Sequence, residues 1–233
     1  MTFDEFVRAV GGGLIVSCQA GAGHPLRDSP TIARMARAAV LGGATAIRCG
    51  GVGGVPDVQE VASAVDVPIV GLTKRGTSGV FITPTADDAL RVLAAGAAVV
   101  ATDGTRRHRP DGAPLSRTVE AVHAAGGLIM ADVATLDDGL AAAGAGADLI
   151  ATTLSGYTPD SPRNPGPDLD LVAALSRALP SAVIVAEGRY HRPEQVRAAL
   201  DAGATAVVVG TAITDPAWIT AGFAAHTDRP RRG

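Results

Sequence analysis

A short apolar unit sets the rhythm of the chain: GATAIR at 43–48, GAAVVA at 96–101, GADLIA at 146–151 and GATAVVV at 203–209. Each follows an Ala/Leu-rich stretch of helical periodicity, and each puts Gly where a helix end favours a left-handed residue. Each then runs on into apolar, mostly β-branched residues, the pattern of a helix that hands the chain back to a sheet. Four more apolar runs, 14–18, 68–72, 128–131 and 182–186, read as strands and bring the total to eight. Helical patterns fill the intervals, among them 31–41, 86–95, 115–125 and 193–202. Eight strands alternating with helices in so short a chain predict an α/β fold, a single-domain (β/α)8 TIM barrel over 1–233. A doubly wound open sheet is the alternative, but no GxGxxG follows the first strand to support it. Gly11-Gly12-Gly13 precedes that strand and reads as a flexible lead-in, and 228–233 reads as a frayed basic tail.

The composition agrees with buried parallel strands. Hydrophobic residues make up 47% of the chain but aromatics only 3%, so the core has to be built from Ala, Val, Leu and Ile. Net charge is −3 with scattered basic residues, which argues against nucleic acid as a partner. The one basic cluster, Arg106-Arg107-His108-Arg109, reads as a loop that meets an anion. No apolar stretch is long enough to span a bilayer, and the first residues lack the basic region of a signal peptide, so no membrane association and a cytoplasmic location are expected. Cys18 and Cys49 form no disulfide framework or metal-ligand spacing and read as small apolar groups at strand ends. No metal and no cofactor are expected. An Ala-rich exterior suits pairing as a homodimer, for which Trp218 and Phe223 are candidate contacts; covering the bottom of the barrel is the other role open to them.

The polar residues fall at the C-terminal ends of the strands, where barrels of this kind place their chemistry. Of 20 basic residues, 19 are arginine and one, Lys74, is lysine. Arginine stays protonated at any accessible pH, whereas a desolvated lysine can lose its proton and act as a base. Glu187 ends the seventh strand, four positions round the barrel from Lys74, so the two face each other across the mouth as a candidate base and acid. Asp132 is placed either to orient Lys74 or to hold a substrate hydroxyl. Gly188, Gly210 and Thr211 follow strands 7 and 8, where backbone N–H groups often bind phosphate, and Arg189 adds charge there.

Six segments, GLTKR (71–75), FITPT (81–85), HRPDG (108–112), MADVAT (130–135), TTLSGYTP (152–159) and VAEGR (185–189), carry a resemblance. With them the chain resembles the N-acetylmannosamine-6-phosphate 2-epimerases of bacterial sialic acid catabolism from Leu14 to about Phe223. The resemblance implies a cofactor-independent sugar isomerase that interconverts N-acetylmannosamine 6-phosphate and N-acetylglucosamine 6-phosphate. It implies Lys74 and Glu187 as catalytic residues. Substrate binding falls on Gln19, Arg48, Asp132 and the segment that includes Thr153, Ser155, Gly156 and Tyr157, and the backbone at Gly188 and Gly210 holds the phosphate. The chain departs from the family at three places. Gly76-Thr77-Ser78 stands where an Asp-Tyr is usual, Cys49 to Gly54 is glycine-rich, and Asp215 replaces an arginine expected to grip the phosphate. Three other readings stay open: an epimerase for an unphosphorylated amino sugar, a Schiff-base lyase using Lys74, and a non-catalytic sugar-phosphate-binding barrel.

Overall fold

The computed structural model describes residues 1–161 and 163–228; the basic tail expected over 228–233 lies outside these apart from Asp228. Eight parallel strands close in sequence order into a barrel. They are β1 (Leu14–Cys18), β2 (Ala46–Cys49), β3 (Ile69–Gly71), β4 (Val99–Asp103), β5 (Leu128–Asp132), β6 (Leu149–Ala151), β7 (Val183–Glu187) and β8 (Ala206–Val209). Around them run α1 (Phe3–Val10), α2 (Ser29–Leu41), α3 (Val55–Ala62), α4 (Ala86–Ala94), α5 (Leu115–Ala124), α6 (Leu136–Gly144), α7 (Leu169–Ala178) and α8 (Pro193–Asp201). After β8 come the short α9 (Thr211–Thr214) and α10 (Pro216–Ala224). The glycines of the repeated unit, Gly43, Gly96, Gly146 and Gly203, all sit at positive φ just past a helix end, as their spacing predicts. Helix α2 begins two residues before the expected position because Asp28 accepts the Thr31 N–H and caps it.

Side chains alternate along a strand, and here the alternation divides the core in two. Ile15, Ala46, Val70, Val99, Met130, Leu149, Val185 and Val208 fill the barrel interior, whereas Val16, Ile47, Val100, Ile129, Ile184 and Val207 meet the helices. The bottom of the interior is closed by α1, whose Phe6 and Val10 are fully buried against it. That overturns the bottom-covering role open to Trp218 and Phe223: both lie on α10, which buries no residue, and the Trp218 ring rests 4.6 Å from the His191 ring beyond β7. The three-glycine lead-in is held by hydrogen bonds, with Gly12 N–H donating to Thr205 C=O at 2.8 Å, so it is a fixed turn instead of a flexible one. Cys18 and Cys49 are register partners on β1 and β2, both fully buried on the helix-facing side.

Among the described residues no helix is long and apolar enough to cross a membrane.

Candidate active site

The inward parity of each strand, carried one step past the core, delivers the site. Two residues beyond interior Ala46 stands Arg48, beyond Leu72 stands Lys74, and beyond Met130 stands Asp132. Beyond Ala151, Val185 and Val208 stand Thr153, Glu187 and Gly210. Two residues beyond Ile15 stands Ser17, whose Oγ accepts the Gln19 Nε2–H at 2.9 Å. A cavity of about 370 Å³ opens here at the C-terminal ends of the strands. Gln19, Lys74, Thr153, Tyr157, Glu187, Gly188, Arg189, Gly210 and Thr211 are among the residues that line it.

Lys74 is held by a small hairpin. Its N–H donates to Gly51 C=O at 2.8 Å, Arg75 N–H to Phe81 C=O, and Thr83 N–H to Thr73 C=O, with Gly76 and Gly79 at positive φ in the exposed tip. The glycine-rich segment after β2 has a packing reason. A Cβ on Gly50 would lie 1.9 Å from Leu72 O, and one on Gly53 would strike the Arg27–Asp57 ion pair. A Cβ on Gly51 would meet the Gln19 carboxamide oxygen at 2.3 Å, so this glycine leaves Gln19 its place on the cavity wall.

Beneath the cavity lies a buried charge network. Arg48, 1% exposed, donates to both oxygens of Asp132, 0% exposed, at 3.1 and 2.6 Å, and the same guanidinium stands 3.2 Å from Glu187 Oε2. Burial opposes the Arg48 charge, but Asp132 and Glu187 more than offset it and keep the guanidinium firmly protonated. Burial pushes the Glu187 carboxyl up to about 7; Arg48 opposes this, Asp132 adds to it, and Lys74 opposes it. The Lys74 pKa moves the other way, lowered first by desolvation and then by Arg48, against the pull of Glu187 and Asp132. Lys74 still keeps an open face towards solvent through the mouth, so a substrate that fills the mouth adds to its desolvation.

Several expected binding residues lie behind the wall. Arg48 and Asp132 direct their hydrogen bonds to each other beneath the floor, and Asp132 also accepts from the Thr153 hydroxyl. Ser155 is buried and donates to Asp168 at the start of α7. A Cβ on Gly156 would meet the Arg189 guanidinium at 2.9 Å. Arg189 itself donates to Gly166 C=O and Ser155 C=O and lies 5.2 Å from the Tyr157 ring centroid, so part of its donor set is already committed. The Arg106–Arg109 cluster does meet anions, but they belong to the chain: Arg107 pairs with Asp103 at 2.6 Å, and Arg106 with Asp137 and Asp138.

At the end of the cavity that follows β7 and β8, the N–H groups of Gly188, Gly210 and Thr211 donate to no other backbone group among the described residues. Asp215 also lines this end, and its carboxylate accepts the Trp218 N–H at 3.0 Å, capping α10. His24 Nδ1 accepts the Leu26 N–H, which puts the proton of the neutral ring on Nε2, 3.4 Å from Asp215 Oδ1. Asp215 therefore has two partners of its own. Replacing it with Asn keeps a capping oxygen and removes a negative charge from the anion's surroundings. We expect the KM of Asp215→Asn for a phosphorylated sugar to fall by roughly 5-fold at unchanged kcat, about 1 kcal/mol of relieved repulsion. Steady-state kinetics at constant ionic strength tests this; an unchanged or raised KM would mean that the loop contact with His24 outweighs the charge.

Sequence reasoning missed Ser17, Tyr190, His191 and Thr214 on the cavity wall. Ser17 was accessible from strand parity; Tyr190 and His191 come from the loop after β7 and Thr214 from α9 after β8, whose directions no periodicity reports.

Comparison with known proteins agrees with this architecture. A family model described as "Putative N-acetylmannosamine-6-phosphate epimerase" matches residues 32–229. A Cutibacterium acnes protein called "Putative N-acetylmannosamine-6-phosphate 2-epimerase" is 50% identical over 222 residues, covering 94% of this chain and 96% of its own. One of the same name from Corynebacterium glutamicum strain R is 48% identical over 213 residues, 91% of this chain and 92% of its own. The solved structure of the N-acetylmannosamine-6-phosphate 2-epimerase from Clostridium perfringens superposes with a TM-score of 0.90 at 40% identity, covering 95% of this chain and 96% of that one. A thiamine phosphate pyrophosphorylase from Pyrococcus furiosus, 20% identical with a TM-score of 0.62, shares the fold alone. By sequence over nearly its whole length and by superposition, this chain belongs to the N-acetylmannosamine-6-phosphate 2-epimerase family.

Proposed function

We propose that this chain inverts C2 of N-acetylmannosamine 6-phosphate to give N-acetylglucosamine 6-phosphate, in the cytoplasm and without a cofactor. The observation that carries the reading is the pair Lys74 and Glu187, set on opposite sides of one cavity with pKa values shifted towards each other. Two titratable groups driven this way by their surroundings mark an acid–base pair.

The C2 hydrogen is acidic only when C1 is an aldehyde, so the reacting form is the open-chain sugar. Neutral Lys74 takes the C2 proton and the electron pair moves onto the C1 oxygen as an enolate. Protonated Glu187 then returns a proton to the opposite face of C2 as the carbonyl re-forms. The pair is left as the Lys74 ammonium and the Glu187 carboxylate, the state from which the reverse reaction starts, and exchange with water resets it. In this reading Gln19 and Tyr157 hold the sugar, and the N–H groups of Gly188, Gly210 and Thr211 hold the phosphate.

In this scheme the active pair carries one proton in either direction. Its population rises as pH increases through the lower pKa and falls through the higher one, whichever group holds the proton. The expected kcat profile is therefore a bell whose rising limb lies near 7, the raised position of Glu187, and whose falling limb lies below the ordinary lysine value of 10.5. A rising limb below pH 5 would remove Glu187 from the pair.

The deciding experiment is proton NMR in heavy water with N-acetylmannosamine 6-phosphate and the unphosphorylated sugar in separate tubes. Loss of the C2 proton signal with growth of the gluco epimer in the phosphate tube is the expected result. Turnover of the unphosphorylated sugar alone would move the specificity, and silence in both tubes would end the epimerase reading. Assembly follows from α10, where Trp218 is 42% exposed and Phe223 is 77% exposed on a helix that buries nothing. We infer a homodimer paired through this helix, which sedimentation would report as twice the 23.3 kDa chain mass.

A further inference from the structure

Thr153 stands at the join between the buried charge network and the cavity. Its Oγ1 lies 2.7 Å from Asp132 Oδ1 and 3.1 Å from Glu187 Oε2. A hydroxyl has one proton and two lone pairs, so it cannot donate to both. Asp132 has the stronger claim on that proton. It is fully buried, both its oxygens accept from Arg48, and its Oδ1 is the nearer of the two acceptors. Donation to a carboxylate without competing water is the stronger hydrogen bond. With the proton donated to Asp132, a lone pair of Thr153 Oγ1 faces Glu187 Oε2. Two bare oxygens at that separation repel each other; the contact becomes a hydrogen bond only when Glu187 carries its proton.

We propose that Thr153 is a positioning residue that holds Glu187 as the neutral acid, accepting a hydrogen bond from its carboxyl group while donating to Asp132. The proposal rests on Glu187 as the acid partner in the reaction above, and it gives Thr153 a role different from the substrate contact expected of it. The charged groups that face Glu187 come from three strands. Arg48 on β2, at 3.2 Å, favours the carboxylate, as does Lys74 beyond β3; Asp132 on β5, together with burial, favours the acid. These influences oppose one another, so a single hydrogen bond whose direction depends on the protonation state of Glu187 shifts the balance measurably. The other hydroxyl of the segment acts on the backbone instead. Thr152 Oγ1 donates to Glu187 C=O and accepts its N–H, which fixes the Glu187 main chain against the β6 end.

The test is a titration in the absence of substrate, so its outcome does not depend on which sugar the protein turns over. The Glu187 carboxyl is followed by carbon NMR in glutamate-labelled protein and assigned with Glu187→Gln. Thr153→Val removes the hydroxyl at nearly constant shape, and Thr153→Ser keeps it. Expected is a fall in the Glu187 pKa of about half to one unit in Thr153→Val, a 3- to 10-fold change in ionisation constant corresponding to one hydrogen bond. Thr153→Ser should return it to the wild-type position, and the rising limb of the pH–kcat profile should move with the titration while KM changes little. A rise in the Glu187 pKa in Thr153→Val would show that the hydroxyl donates to Glu187, and would overturn the proposal. An unmoved titration with a raised KM would make Thr153 a substrate contact only and would overturn it equally. If Thr153→Val does not fold, Thr153→Ala serves in its place under the same criteria. Failure of wild-type C2 exchange in heavy water would instead count against the epimerase reading and leave the titration result standing.

Discussion

Lys74→Arg should slow C2 exchange by orders of magnitude while leaving the barrel intact. The substitution keeps a positive charge at the same place in the mouth, so binding of an anionic sugar and the electrostatics felt by Glu187 change little. What it removes is the capacity to lose a proton, because a guanidinium stays protonated at any accessible pH. Desolvation and Arg48 lower the Lys74 pKa; the same influences on an arginine leave it charged. A positioned acid–base group contributes about 10²–10⁴-fold, and the deuterium exchange rate in Lys74→Arg should fall by that factor with KM nearly constant. Lys74 is exposed at the rim, so the stability change should stay within about 0.5 kcal/mol. Borohydride added during turnover should leave the mass of the wild-type protein unchanged, since proton transfer forms no imine. Exchange surviving undiminished in Lys74→Arg would pass the base role to another residue, and a trapped adduct would revive the lyase reading.

The place of Lys74 and Glu187 at the cavity was legible in the sequence because each signal was local. One was the only lysine among 19 arginines, the other a carboxylate at the end of an apolar strand run. Strand parity adds Ser17, Arg48 and Asp132 within their strands, and Thr153 one inward step past β6. What parity cannot report is which of these residues line the cavity and which turn to one another. Arg48 and Asp132 close on each other beneath the floor because two buried opposite charges lose water and can recover that cost only by mutual hydrogen bonding. The glycines from Gly50 to Gly53 were equally opaque. Their reason is the approach of Leu72 O, Gln19 and the Arg27–Asp57 pair, all distant in the chain. Asp215 looked like a charge in the wrong place. It is the N-cap of α10, a role visible only when the break between α9 and α10 is known.

The Arg48–Asp132 pair gives the second large effect, on stability. Removing one member of a buried ion pair costs about 3–5 kcal/mol because the other is left desolvated and uncompensated. In Asp132→Ala the guanidinium of Arg48 retains Glu187 as its remaining counter-ion, so the loss should fall at the lower end, about 3 kcal/mol, or roughly 6–12 °C in Tm for a chain of this length. Arg48→Met differs in its pH dependence. With the cation gone, Glu187 loses the charge that opposes the effect of its burial, and its carboxyl is pushed further above its ordinary value. A carboxyl that binds its proton more tightly when folded makes folding less favourable as pH rises past the unfolded value. Arg48→Met should therefore be nearly as stable as wild type at pH 4 and progressively weaker towards pH 8. Replacing both residues together, Arg48→Met with Asp132→Leu, should recover most of the stability lost by either alone, since well-packed apolar groups often equal a buried pair. The double variant should still be inactive, because Glu187 would have lost the two groups that oppose each other in setting its protonation. Thermal melts across pH 4 to 8 for the three variants decide it. A double variant as unstable as the singles would mean that packing, not uncompensated charge, carries the loss. Recovery of stability without activity would mean that this network is retained for the chemistry above it, in place of an apolar floor that would hold the barrel together as well.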